Sequence, residues 1–331
     1  MSHTTLGARV VPAQGLHVVV GAGPVGRAVT RTLTTHGRTV RVLTRTGAPS
    51  SDPLVEAVAV DASDPAAFLQ ASTGAVAIYN CVNPPYHRWA QLWPPVAGSL
   101  LAAAQAHGAV LAIVGNLYAY GPVEGPMTED HPLAATGVKG RVRADMWREA
   151  LAAHEAGRVR VTEARGSDYL GHDSMSQLGA HVLTAMRKGR TAWVLGEPDA
   201  PHTWTFTEDM ARTVVTAAAD PAGWGRAWHV PSHAALPSRQ VVEELARLDG
   251  APSPKVRRMP WGLVRALGVA VPFLREMPEV IHQHVRPWVM DSSAAQRQWG
   301  LAPTPWEEIL RDHLRTGVDA PAQHDAAVPP A

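Results

Sequence analysis

The sequence predicts an α/β chain built on a doubly wound parallel sheet, followed by a smaller, mostly helical region. Short apolar runs and helix-period patterns alternate six times between residues 16 and 165. The runs are too uniformly apolar for strands with one wet face, so they belong in a sheet covered by helices on both sides. The first run opens directly onto three glycines and a helix pattern, GAGPVG, the order expected of a phosphate-binding strand–turn–helix. Beyond Arg165 the alternation loosens, and proline and tryptophan become frequent.

Each element follows from its residues. Residues 16–21 (LHVVVG) form a buried strand. Val25, Ala28, Val29, Thr32 and Leu33 then recur at helical spacing until Gly37. Strands follow at residues 39–44 and 57–60, and Ser63 or Asp64 caps the next helix. Residues 75–80 (AVAIYN) make a fourth strand, broken off by Pro84 and Pro85. A helix covers residues 88–107 and is expected to bend or restart at Pro94 and Pro95. A strand at 109–114, a helix at 139–155 and a strand at 159–165 complete the alternation. Helices at 238–248 and 305–314 follow no regular strands.

With 46% of its 331 residues apolar, the chain has ample material for a core. Lys plus Arg (30) nearly cancels Asp plus Glu (29), leaving a net charge of +1. That balance excludes a broad basic surface for nucleic acid. The single cysteine, Cys81, excludes a disulfide framework and any cysteine-based zinc site. The first fifteen residues lack the apolar core of a signal peptide. The most apolar late segment, residues 261–274, is interrupted by Arg265 and Pro272 and is too short to span a membrane. A soluble, cytoplasmic protein with no membrane or nucleic-acid partner is expected, with flexible termini over residues 1–15 and 318–331. All five tyrosines fall between Tyr79 and Tyr169, and none of the eleven tryptophans precedes Trp89.

Gly21-Ala22-Gly23-Pro24-Val25-Gly26 makes the pass between first strand and first helix. The first glycine permits the tight turn, the second lets backbone approach a pyrophosphate, and the third allows close helix–strand packing. A dinucleotide site of the Rossmann type is therefore predicted. The second strand ends in Thr44-Arg45, with no acidic residue until Asp52. A carboxylate there would bond both ribose hydroxyls of NAD, whereas hydroxyl and guanidinium suit a 2′-phosphate, so NADP(H) is expected in preference to NAD(H). Asp61-Ala62 closes the third strand beside the adenine, and Cys81-Val82-Asn83 borders the cofactor after the fourth. The dinucleotide-binding domain is assigned to residues 16–170, with 203–230 returning to it. Residues 171–202 and 231–316 form the substrate-covering region.

From these residues onward the chain resembles the short-chain dehydrogenase/reductase superfamily, and most of all its extended, atypical branch of the NAD-dependent epimerase/dehydratase type. The resemblance covers roughly residues 16–316. Besides the glycine loop it rests on Tyr120-Gly121 in NLYAYGP, Glu129-Asp130-His131-Pro132, Lys139, the run from Arg165 to Gly171, and Trp204-Thr205-Phe206 leading to Asp209-Met210-Ala211. Such enzymes carry a Tyr-x-x-x-Lys pair, the tyrosine as acid/base and the lysine on the cofactor ribose. With Lys139 as the lysine, the tyrosine position is Ala135, and the position of the family's catalytic serine or threonine is Asn116. The resemblance thus implies the fold, the cofactor, the Lys139 ribose contact and a homodimer, and departs from the family at the tyrosine.

Tyr118 and Tyr120 follow the fifth strand, where doubly wound sheets hold substrates, and are expected to share one face of an extended segment. Either phenol is a candidate general acid, with Asn116 as a neutral donor to a developing oxyanion. Tyr86, His87 and Trp89 in the loop after the fourth strand, and Asp168 and Tyr169 after the sixth, are candidate substrate contacts. No metal is expected. Pro231 breaks the helix that His229 and His233 would need, and His282 and His284 have no accompanying carboxylate motif. The function expected is an NADP(H)-dependent oxidoreductase acting on a small, largely apolar or cyclic carbonyl or enone, the tryptophan-rich second region suggesting the apolar pocket. Two alternatives stay open: a sugar-nucleotide epimerase or dehydratase using NAD, and a non-catalytic NADP(H) sensor.

Overall fold

The computed structural model describes residues 10–47, 49–270 and 272–317. Residues 1–9 and the tail from residue 318, both expected to be flexible, lie outside the described residues. The chain runs β1 (Leu16–Val20), α1 (Pro24–Thr35), β2 (Thr39–Thr44), β3 (Val55–Ala59), α2 (Pro65–Ala71), β4 (Ala75–Asn80), α3 (Trp89–His107), β5 (Val110–Asn116), α4 (Val138–Glu155) and β6 (Arg160–Gly166). It continues through β7 (Asp168–Leu170), α5 (Ala180–Arg187), β8 (Thr191–Val194), β9 (Pro201–His202), β10 (Trp204–Phe206), α6 (Thr207–Ala219), β11 (Arg226–His229), β12 (Leu236–Pro237), α7 (Ser238–Asp249) and β13 (Lys255–Arg258). Short helices follow: α8 (Trp261–Leu267), α9 (Pro272–Arg275), α10 (Met277–Val280), α11 (His282–Val285), α12 (Ser293–Trp299) and α13 (Trp306–Leu314).

Seven strands form one parallel sheet in the order β11-β6-β5-β4-β1-β2-β3. Alternate residues of each central strand face opposite sides. Val18, Val20, Ile78, Leu111 and Ile113 meet Phe68, Trp93, Leu100 and Trp147 of α2, α3 and α4. Val19, Ala77, Tyr79 and Ala112 meet Val29, Leu33, Met210 and Val214 of α1 and α6 on the other side. After β6 the chain leaves the sheet and then returns to it, α6 packing on α1 and β11 pairing with β6. A separate core of α5, α7 and α13 residues, with Val194, Trp204 and Val256, lies beyond the sheet. No helix among the described residues is long and apolar enough to cross a membrane.

Two expectations need correction, and of two alternatives for one helix cap the structure selects one. The helix over residues 88–107 does not restart at its prolines: α3 is continuous, with Pro94 and Pro95 inside it. A helical proline removes the hydrogen bond to the carbonyl four residues back. Those carbonyls belong to Ala90 and Gln91, both exposed, so water can take the place of the missing donors. The cap of α2 is Asp64, whose Oδ1 accepts from the Ala66 and Ala67 amides (3.0 and 3.1 Å), and not Ser63. The later tryptophans do not wall a cleft as a group: Trp204, Trp228 and Trp288 are buried in packed clusters.

Candidate active site

The strand order reverses between β1 and β4, whose following segments diverge to opposite sides of the sheet. In open α/β sheets the crevice at such a switch point is where ligands bind. Gly21 has φ 101°, and a Cβ there would lie 2.8 Å from the Cys81 carbonyl oxygen. A Cβ at Gly26 would lie 2.0 Å from the Gly21 oxygen, so this glycine is demanded by helix–strand contact. Gly23 differs: nothing lies within 4 Å of where its Cβ would be. Packing within the chain does not require a glycine there; the space lies against the N-terminus of α1. That helix begins at Pro24 and Val25 and has no side-chain cap and no acidic residue in its first turn. Its unused amides and partial positive charge fit a pyrophosphate.

Around this loop, the Cys81 amide donates to Val20 and the Val82 amide to Asn80 Oδ1. Burial pushes the Cys81 thiol up to about 12, so it stays neutral. Asn83 is exposed, its Nδ2 near Met175 Sδ. The Tyr169 hydroxyl is buried with no hydrogen-bond partner among the described residues. It lies within electrostatic reach of Cys81 and Tyr118, near the strand ends. At the end of β2, Thr44 Oγ1 accepts the Gly47 amide (2.9 Å) and Arg45 is exposed. Asp61 accepts from the Ser63 amide and hydroxyl, which hold its carboxyl below the usual range, with Arg45 adding to the effect. Ala62 packs against the core.

Tyr118 and Tyr120 do not share a face, because residues 118–120 form a 3₁₀ turn and not an extended segment. Tyr120 turns inward. Its hydroxyl donates to His229 Nε2 (2.8 Å) and accepts from Arg165 Nη1 (2.8 Å). Arg165 in turn donates to Glu163 (2.7 Å), and His229 Nδ1 donates to the Asp291 carbonyl (2.8 Å). This buried chain uses the hydroxyl as both donor and acceptor, which removes Tyr120 as a candidate acid. Tyr118 lies half-buried at the end of β5, packed against Tyr86 and Trp89, and Tyr86 and Gln283 each direct a hydrogen bond at its hydroxyl. Burial, aided by the Asp168 charge, pushes the Tyr118 phenol up to about 12. Asn116 Oδ1 accepts the Tyr118 amide (3.1 Å), fixing the turn and leaving Nδ2 as that side chain's donor.

Lys139 lies in the first turn of α4 and is buried, but it is not directed solely at a ribose. Its Nζ donates to Glu276 (2.5 Å) and Glu279 (2.9 Å) and stands 4.9 Å from the Tyr86 ring centroid. Two of its three donors are thus taken by carboxylates of the late helical segment. Ala135 precedes α4 and packs on Gly121 and Gly140, whose added Cβ atoms would meet it at 3.0 and 2.3 Å. Of the loop candidates, Tyr86 joins Tyr118 and Trp89 in an aromatic cluster. Trp89 is a core residue whose indole donates to Pro84, so it is not presented as expected, whereas His87 is exposed in the turn before α3. Over Tyr86 and Tyr118 lie Val264, Met277, Val280, Met259 and Trp261. Asp168 faces His202 (3.2 Å) and His284 (3.7 Å). The expectation that His284 lacks a carboxylate partner is therefore corrected: the carboxylate comes from β7, far away in sequence. Gln283, Glu276, Glu279 and His202 were not signalled by any local motif; only long-range packing brings them to the strand ends.

The chain matches the model of the NAD dependent epimerase/dehydratase family over residues 17–230. No curated protein matches it by sequence. Among solved structures it is similar to a double mutant of DesIV, a dTDP-glucose 4,6-dehydratase from Streptomyces venezuelae with NAD bound, at 21% identity and a TM-score of 0.72, covering 91% of this chain and 95% of that one. A dTDP-glucose 4,6-dehydratase from Bacillus anthracis, in complex with NAD, has 15% identity and a TM-score of 0.74, covering 92% and 96%. UDP-glucose 4-epimerase from Thermotoga maritima, with UDP-glucose, has 15% identity and a TM-score of 0.72, covering 91% and 97%.

Proposed function

Because the chain belongs to the NAD dependent epimerase/dehydratase family, a family of nicotinamide-cofactor enzymes, we propose that it is an NADP(H)-dependent oxidoreductase acting on a small, largely apolar carbonyl compound or enone. The observation that carries this reading is Tyr118: a neutral phenol at the strand ends, held by Tyr86 and Gln283 beneath an apolar cover. The nicotinamide supplies or takes up the hydride when bound. Gly21 to Gly26 and the N-terminus of α1 would hold the pyrophosphate, while Thr44 and Arg45 would hold the adenosine 2′-phosphate. Lys139, Cys81, Val82 and Asn83 line the remaining edge of the cofactor groove.

In the reducing direction Tyr118 donates its hydroxyl proton to the carbonyl oxygen as the carbon is reduced. The donors from Tyr86 and Gln283 then stabilise the phenolate left behind, offsetting the burial that disfavours it. Asn116 Nδ2 is a second donor for the developing oxyanion. The usual lysine-assisted lowering of a tyrosine pKa is weakened here, since Glu276 and Glu279 compensate the Lys139 charge. Met259 and Trp261, partly buried in the cluster that holds Tyr118, favour an apolar substrate body over a polyhydroxylated one.

A sugar-nucleotide epimerase or dehydratase is the second reading. It is favoured by the names of the structural neighbours and by their coverage of the late helical region. That chemistry asks for a base where this chain has Ala135. Fluorescence titration with NADPH and NADH, repeated on Arg45→Ala, tests the cofactor assignment. NADPH should bind more tightly, and the variant should lose about 10- to 100-fold for NADPH alone, the scale of one charge-assisted hydrogen bond. Equal affinity for NADH with no loss in the variant overturns it, and tight binding of a UDP- or dTDP-sugar favours the second reading.

A further inference from the structure

Three polar side chains meet where the sheet ends face the late helical segment: Asp168 of β7, His202 of β9 and His284 of α11. One ligand atom from each lies within 4.8 Å of the others. Asp168 Oδ2 is 3.2 Å from His202 Nε2 and 3.7 Å from His284 Nδ1. The two carboxylate–imidazole separations bracket about 3.4 Å, the edge of a tetrahedron with metal–ligand bonds of about 2.1 Å, and the imidazole–imidazole edge is within 4.8 Å. We propose that Asp168, His202 and His284 bind a divalent ion of the zinc class, with one coordination position left open toward Tyr118.

The surroundings are those of a ligand set. His202 Nδ1 donates to the Gln283 carbonyl (3.1 Å), which can only accept. That bond fixes the tautomer and turns the Nε2 lone pair toward Asp168, with the Ser167 hydroxyl at 3.5 Å, the outer-shell arrangement that orients metal-bound histidines. A lone pair set against a carboxylate oxygen repels it unless a cation or a proton lies between them. The two imidazoles stack with centroids 5.6 Å apart, Trp204 packs on the first, and both histidine side chains are only 5% exposed. Beside His284, the Gln177 amide nitrogen is 3.3 Å from Nδ1, and the amide oxygen of the same side chain is buried without a partner among the described residues. Rotating that amide by half a turn would aim its oxygen at the same centre. Two nitrogen donors and one carboxylate disfavour calcium and magnesium and suit zinc or its neighbours.

Three protein ligands and an open position make a site that can bind a substrate oxygen, not only a structural one. The Asp168 charge is felt by both Tyr86 and Tyr118. Gln283 links the two constellations, its backbone holding His202 and its side chain reaching Tyr118. An ion here would polarise the same oxygen that Tyr118 protonates. That use rests on the oxidoreductase reading above, whereas the metal site itself does not.

The test is metal uptake, read separately from turnover. Tag-free full-length protein is stripped with chelator and titrated with Co²⁺, following the visible d–d bands, and then with Zn²⁺ in competition. One equivalent should bind with bands of a low-coordinate nitrogen/oxygen site. Each of D168N, H202Q and H284Q should lose more than about 100-fold in affinity, the upper end of what an outer-shell loss costs. The control H233Q should bind as the unaltered chain does. Should D168N fail to fold by circular dichroism, the two histidine variants decide. Uptake well below one equivalent overturns the proposal, as does unchanged binding in H202Q and H284Q. Metal binding with no effect on carbonyl reduction would retain the site and remove its catalytic use.

Discussion

Replacing Tyr120 by Phe separates architecture from chemistry in a way the sequence could not. The substitution removes one hydroxyl and leaves the ring, so packing against Leu117, Met127 and Trp288 is retained. Two hydrogen bonds of 2.8 Å vanish with it, one from the Arg165 guanidinium and one to His229 Nε2. All three side chains are buried. A bond to a charged donor contributes roughly 1.5–3 kcal/mol and a neutral one about 1 kcal/mol, and the orphaned His229 nitrogen adds a desolvation cost. The expected loss is about 2–4 kcal/mol. At roughly 2 °C per kcal/mol for a chain of this size, Tm should fall by about 4–8 °C in a calorimetric or circular-dichroism melt. Turnover at 25 °C should stay within about threefold of the unaltered enzyme, since the hydroxyl lies outside the crevice. A melt within 1 °C of the parent (about 0.5 kcal/mol) would refute the buried network, and a large loss of turnover in a folded variant would return Tyr120 to the chemistry.

Gly23→Ala should leave Tm nearly unchanged, because φ is −68° and the new methyl meets nothing within 4 Å. Its nicotinamide-cofactor affinity should fall by about tenfold or more in the same fluorescence titration, through steric contact with the pyrophosphate. Burial holds His17, His229 and His313 below their usual 6.5. In the unfolded chain these rings would take up protons near pH 6.5, whereas in the folded chain they resist. Stability should therefore be full above that pH and decline as pH falls from it toward the lower folded values, which denaturant midpoints at pH 8, 6 and 5 would show as a progressive drop. A flat profile over that range would contradict the burial assignment. The reducing turnover should lack an alkaline limb up to about pH 10, since a phenol pushed up to about 12 stays protonated there. A pH–rate profile falling with a pKa near 7 would instead point to a lysine-activated phenolate.

The sheet was legible because its strands are local. Runs such as LHVVV and AVAIYN declare burial on both faces within five or six residues, and GAGPVG declares the loop that must follow. The third strand starts two residues earlier than its apolar pattern suggested, at Val55, because pairing with Val40 extends it through Glu56. Tyr118 was identified but not distinguished from Tyr120, since the 3₁₀ turn that splits them is set by Asn116 and by tertiary contacts. Lys139 was found, while Glu276 and Glu279 were not, because pairs 137 and 140 residues apart leave no spacing to recognise. The same holds for His202 and His284, which meet Asp168 from separate elements. The tryptophan-rich stretch misled for a different reason: an indole packs a core and lines a pocket with the same composition.

The central claim is that Tyr118, in place of the tyrosine missing at Ala135, is the proton donor of a nicotinamide-dependent reduction. The most direct measurement is the rate of NADPH oxidation at 340 nm by Tyr118→Phe, on the best substrate from a carbonyl panel, with NADPH affinity measured in parallel. A drop in kcat of about 100-fold with unchanged NADPH Kd is expected, the low end for loss of a general acid. Full activity in Tyr118→Phe would contradict the claim.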